Sequence, residues 1–279
     1  MASRRAVTVE LEDIQATVLR YRPEPYYGTH VMLHVDDARS GREFLRDLTP
    51  YIESAADWWQ ADGPWIAVAV TYAGLGALGV PDESLVSFPE AFRVGMAARA
   101  TELRDRGVND PRNWEAMFGP GVIHVGVSVF GNSEEGWRRA MNAAQRHYAG
   151  RPGITVVATQ DFGAQPGDLN PLGYRDSIGQ PAVEGSGVDP LPGQGPAIKA
   201  GEFVLGYPGE SGVPLPAPVP AVLGRNGTYV ALRKYQSRVG AFNRFLRANA
   251  RTEQDRELLA AKLVTRTATA CRGARICAG

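Results

Sequence analysis

The chain has 279 residues, 44% of them hydrophobic and 22% charged, which suits one large domain or two small ones with ample core. Thirty Lys and Arg balance thirty Asp and Glu; nucleic acid and anionic membranes both select a surplus of cations, so neither is expected as a partner. No apolar run approaches the ~20 residues needed to cross a bilayer, and the N-terminal MASRRAVTVELEDIQ lacks a secretory h-region and cleavage site, so a cytoplasmic protein is expected. Cys271 and Cys277 are the only cysteines; they form no disulfide framework, and their spacing is not a usual zinc spacing.

In chain order, residues 29–35 alternate, with Val31, Leu33 and Val35 on one face and His30, Met32 and His34 on the other, and predict a strand. Residues 42–52 carry Phe44, Leu45, Leu48, Tyr51 and Ile52 at the spacing of an amphipathic helix. Residues 65–72, WIAVAVTY, predict a buried strand. After an excursion with a helix predicted over 89–106, the unit recurs as strand 123–130, helix 134–147 and strand 154–160. This β-α-β, insertion, β-α-β order predicts an α+β, ferredoxin-like domain with an antiparallel sheet over residues 1–162. From residue 163 the composition turns to Pro, Gly and Asp without a period, and long connections of this kind are commonly functional. Strands are predicted at 202–207 and 228–235, then helices at 239–250, burying Val239, Phe242, Phe245 and Leu246, and at 252–264. Residues 163–264 thus read as an incomplete second ferredoxin-like domain. The last fifteen residues, TRTATACRGARICAG, have no acid, no aromatic and no period; a disordered tail foreign to the fold is expected over 265–279, with unpaired strand edges driving self-association.

One segment of the connection stands out: Gly173-Tyr174-Arg175-Asp176-Ser177-Ile178-Gly179-Gln180-Pro181. It resembles the Gly-x-x-Asp-Gly distal motif, continued by Ile-x-Gln-Pro, of the dye-decolorising haem peroxidases. LEDIQATVLR (11–20), GEFVLGYPGESG (201–212) and LGRNGTYVALRKYQSRVGAFNRFL (223–246) follow that family's order and spacing. The resemblance implies two ferredoxin-like halves with haem b in the second, and oxidation of bulky organic donors by hydrogen peroxide. It makes Asp176 the acid–base residue and places Arg175, Ser177 and Ile178 beside the haem. An Asp suits this task because peroxide activation needs a base that takes a proton from one oxygen and returns it to the other. Ser177 stands where the family has Gly, which adds a Cβ and a hydroxyl.

The family also has an iron-ligating histidine in a Cys-Pro-…-His-Ile-Arg-type block and a distal arginine, and neither has a counterpart here. A truncated, impaired peroxidase is therefore expected, with a haem-free ferredoxin-like interaction module as the alternative. None of the four histidines is expected to replace the ligand. His30 and His34 lie about 13 Å apart along one strand, His124 sits on a strand and His147 ends a helix, and no metal ligand is assigned. The GLGALG sequence (74–79) matches a dinucleotide-binding pattern, but Pro81 follows and a turn is expected. Trp58, Trp59, Trp65, Trp114 and Trp137 are expected to serve mainly in packing.

Overall fold

The computed structural model describes residues 8–20, 25–57, 65–119, 121–163, 169–174, 180–191 and 194–264. The chain forms two compact units, Met1–Phe162 with Pro181–Val230, and Gly163–Gln180 with Ala231–Gly279.

The first unit is built on strand β1 (Tyr27–Val35), helix α1 (Ala38–Leu48), strand β2 (Trp65–Val70), helices α2 (Tyr72–Ala77) and α3 (Glu90–Ala98), strand β3 (Val125–Gly131), helix α4 (Glu134–Tyr148) and strand β4 (Ile154–Gly163). The sheet order is β2-β3-β1-β4, with β3 antiparallel to both β1 and β2. This is the ferredoxin-like topology that the repeated unit predicts. Its register places Val31 opposite Val127, Leu33 opposite Val125, and Val68 opposite Val127. Alternation along each strand sends those side chains to the helix-covered face, where Phe44 and Leu48 of α1 and Ala140, Ala144 and Tyr148 of α4 close the core. The small Ala140 and Ala144, one helical turn apart, are both fully buried, which lets α4 lie close on the sheet.

Caps explain where the helices begin. Asp37 accepts from Ser40 N at 2.7 Å, so α1 starts four residues before the predicted boundary, and it ends at Leu48 because Pro50 diverts the chain into a 3-10 turn. Ser133 accepts from Gly136 N at 3.0 Å and opens α4.

Several expectations need correction. The helix predicted over 89–106 stops at Ala98 and is already broken at Gly95, whose φ of 72° lies outside helical space. GLGALG forms α2 and its end, not a simple turn. A Cβ at Gly74 would sit 2.0 Å from the His124 carbonyl oxygen, so glycine serves close helix–strand packing there. The strands predicted at 202–207 and 228–235 are absent. Residues 200–208 coil back on themselves, with Val204 N donating to Ala200 O at 2.8 Å and Gly201 N to Pro208 O at 3.1 Å. Residues 228–235 carry no ladder and are mostly exposed.

Among the described residues of the second unit the regular elements are α5 (Val239–Asn249) and α6 (Glu253–Leu263), which pack together. A capping box opens α6: Thr252 Oγ1 accepts from Asp255 N at 3.0 Å and Asp255 Oδ2 from Thr252 N at 3.2 Å. Of the four side chains expected to be buried on α5, only Leu246 is, whereas Phe245 is 48% exposed.

Candidate functional site

Arg175, Asp176, Ser177 and Ile178 lie outside the described residues, as do Trp58, Trp59, Cys271 and Cys277. The described chain on each side is firmly built. Before the motif, in the second unit, the Asn170 side-chain oxygen accepts from Leu172 N at 2.9 Å and Tyr174 N at 3.2 Å, while Asn170 N donates to Tyr174 O at 2.8 Å. This is an Asx turn, closed by Gly173 with φ of 86°. After the motif, in the first unit, Ala182 and Val183 are buried and bridge to Ile198, with Ile198 N donating to Ala182 O and Glu184 N to Ile198 O, both at 2.8 Å. Lys199 Nζ pairs with Glu184, and the fully buried Ser186 accepts from Val188 N at 3.1 Å.

Three separate blocks that carry the sequence resemblance meet in this unit. Ile14 and Leu19 from the first block, and Val204 and Tyr207 from the second, form one buried cluster with Val9, Ala55, Val183 and Ala200. The third block closes it through polar contacts. Tyr207 Oη accepts from Glu10 N at 3.0 Å and donates to Asn226 Oδ1 at 2.7 Å. Asn226 Nδ2 in turn reaches Glu10 Oε2 at 2.7 Å and Asp13 Oδ2 at 2.8 Å. Arg225 pairs with Glu10 and lies over the Tyr207 ring, 5.5 Å from its centroid. Hydrogen bonds from Arg225, then from Asn226, hold the Glu10 carboxyl below the usual carboxylate range. Asn226 is buried at φ of 61°, a left-handed conformation that Asn tolerates better than most residues. Sequence reasoning named the blocks but missed Tyr207 and Asn226 as their joint; the Asn226-Gly227 dipeptide was the available turn signal.

All four histidines belong to the first unit. His30 Nδ1 lies 2.8 Å from Ser128 Oγ, and its ring stacks on Phe162 at 4.3 Å; burial holds its pKa below the usual imidazole value. His34 Nδ1 donates to Val122 O at 2.8 Å, and its ring stacks on His124 at 4.1 Å. His124 lies just before β3. His147 packs against Tyr51 in the last turn of α4. Among the described residues no group of three His, Cys, Asp or Glu side chains could hold a metal ion. Trp65 is buried in β2, Trp137 Nε1 donates to Thr29 Oγ1 at 3.0 Å, and Trp114 Nε1 donates to Asn109 O at 2.9 Å; all three serve local packing.

No family model matches the chain. Individual relatives do match. A dye-decolorizing peroxidase of Mycena epipterygia is 31% identical over 245 residues, covering 83% of this chain and 44% of that protein. A dye-decolorizing peroxidase of Exidia glandulosa is 27% identical over 280 residues, covering 93% of this chain and 51% of that protein. Among solved structures, an ancestral D-type dye decolorizing peroxidase superposes with a TM-score of 0.78 at 28% identity, over 93% of this chain and 58% of that one. The chain belongs to the dye-decolorising peroxidase family.

It spans about half the length of the curated dye-decolorising peroxidases it matches. Members of this family depend on haem, and the described residues bear on where such a group could be held. They do not by themselves form a haem site. Each of the four histidines contacts a neighbour within the first unit, whose range excludes position 176. No helix among the described residues is long and apolar enough to cross a membrane.

Proposed function

We propose that the protein carrying this chain is a haem peroxidase that oxidises bulky organic donors with hydrogen peroxide, and that this chain supplies its acid–base residue, Asp176. The relation to the Mycena epipterygia peroxidase at 31% identity over 83% of the chain carries the reading, and the GYRDSIGQP segment gives it chemical content. Haem b supplies the oxidising centre when bound. With haem held by the protein, Asp176 would act as the proton carrier, taking a proton from one peroxide oxygen and returning it to the other. By the family resemblance, Arg175, Ser177 and Ile178, next to Asp176 in the sequence, would belong to the haem-binding segment. Ser177 stands where the family motif has glycine, which adds a Cβ and a hydroxyl at the position after Asp176.

The 279 residues by themselves are expected to be a feeble peroxidase, because all four of their histidines belong to the first unit, whose range excludes position 176. The test is oxidation of an anthraquinone dye after haem reconstitution, with and without peroxide. Peroxide-dependent turnover by the protein carrying this chain supports the reading, and a reconstituted protein with no such turnover overturns it. Fast turnover by the 279 residues alone would contradict the expected impairment and send the search for a ligand back to His30, His34, His124 and His147.

A further inference from the structure

The corner where β1 ends contains a histidine pair that the peroxidase reading does not use. His124 is 9% exposed, and its Nδ1 lies 3.0 Å from the Val35 amide nitrogen and 3.1 Å from the Val35 carbonyl oxygen. One ring nitrogen therefore sits between the donor and the acceptor of a single residue. It can serve only one of them at a time: bare, it accepts; protonated, it donates. The ring is also hydrogen-bonded to the Gly121 backbone.

The same residue ties down several elements. His124 N donates to Leu33 O at 2.8 Å, and its carbonyl accepts from Thr71 N at 3.0 Å. Thr71 caps α2 by accepting from Gly74 N and donates its own hydroxyl to Ile123 O at 2.7 Å. One residue beyond Val35, Asp36 N donates to Gly153 O at 2.9 Å beside β4. A change at the Val35 amide is therefore felt at the junction of β1, β4 and α1.

The charged and titratable surroundings are few. His34, stacked on His124 at 4.1 Å, places its Nε2 3.4 Å from Asp36 Oδ1. On the His124 imidazole the neighbouring His34 acts to lower the pKa and Asp36 to raise it. Asp36 also accepts from the Thr155 hydroxyl on β4, and α2 brings Tyr72 but no carboxylate or cation.

We propose that His124 is a proton-operated switch: neutral, its Nδ1 accepts the Val35 N–H; protonated, the same nitrogen donates to the Val35 carbonyl and releases that N–H. Burial, then the adjacent His34, holds the His124 imidazole below its ordinary value, which keeps the accepting state in place near neutrality. The unfolded chain then binds the proton more readily than the folded one. The corner therefore loses stability as pH falls below the ordinary imidazole value of about 6.5. The switch loosens the end of β1 in acid, and it stands independently of the haem chemistry.

The experiment is a pH titration of the 279-residue protein, without added haem, by NMR of the histidine ring nitrogens and the Val35 amide. At pH 7.5 His124 Nδ1 should show the shift of a bare, accepting nitrogen. On acidification, with a midpoint below that of a free imidazole, it should become protonated while the Val35 amide shifts with the same midpoint and exchanges faster. His124→Asn keeps an acceptor near the Nδ1 position but cannot titrate, so Val35 should stay protected at both ends of the range. His34→Asn removes the stacked imidazole that helps hold His124 down and should raise the midpoint. A His124 Nδ1 already protonated at pH 7.5, or a Val35 amide that ignores the His124 titration in the native protein, would overturn the proposal. Neither of these results depends on whether the variants fold.

Discussion

The helix-covered face of the first unit and the helix pair of the second differ in how completely they bury their apolar side chains. In the first, Val31, Leu33, Phe44, Leu48, Val125, Val127 and Val129 are all fully buried between a four-stranded sheet and two helices. In the second, α5 and α6 bury Leu246, Ala260 and Ala261, while Phe245, Leu258 and Leu263 are 48%, 43% and 50% exposed. A sheet with helices across it encloses side chains from several directions, whereas two helices enclose only the seam between them. The difference locates stability in the first unit, while the motif assigned to chemistry lies in the second. That division makes effects on folding and effects on turnover separable.

The sharpest separation is Asp176→Asn. It preserves size and most hydrogen bonding but removes the base, so dye turnover should fall ~100–10,000-fold while the melting temperature stays within a degree or two. Stopped-flow mixing with peroxide and thermal denaturation measure the two sides, and a loss below tenfold would move the acid–base role to another group. Phe44→Ala should do the reverse. A fully buried aromatic on α1 becomes a cavity, and urea denaturation should show a loss of about 3–5 kcal/mol; a loss under 1 kcal/mol would mean that the core closes over the gap. Tyr207→Phe should cost less, about 1–3 kcal/mol, because Glu10 N and the buried Asn226 Oδ1 lose a partner while the ring remains packed. The same measurement checks it, with no change as the contrary result. The smallest effect is expected for Phe245→Ser on α5: within about 0.5 kcal/mol in the 279-residue chain, because the ring is half exposed. A large loss there would erase the contrast between the two units.

The legible parts of the fold are those where one period repeats over a long stretch. β1 alternates through Val31, Leu33 and Val35, and α4 returns to the same face at Ala140 and Ala144, so both were found within a few residues of their ends. Short apolar runs were misleading. FVLGY at 203–207 has the apolar richness of a strand, yet its buried side chains Val204, Leu205 and Tyr207 are turned inward by consecutive tight turns. GLGALG departs from the expected turn for a different reason: its first glycine answers to the carbonyl of His124, fifty residues away and just before β3, a contact that no local pattern announces. The motif around Asp176 was recognisable as a string of residue types, but its scaffold was not. The joint unites Glu10 with Tyr207 and Asn226, 197 and 216 residues away, and neither periodicity nor spacing relates them.

The central claim, that these residues belong to a haem peroxidase, is tested most directly by titrating haem into the protein carrying this chain and following the Soret band. Saturation at one haem per protein, unchanged in Asp176→Asn, is the expected result. A titration that shows no stoichiometric haem in either protein would contradict the account and favour a haem-free interaction module built on the same ferredoxin-like sheet.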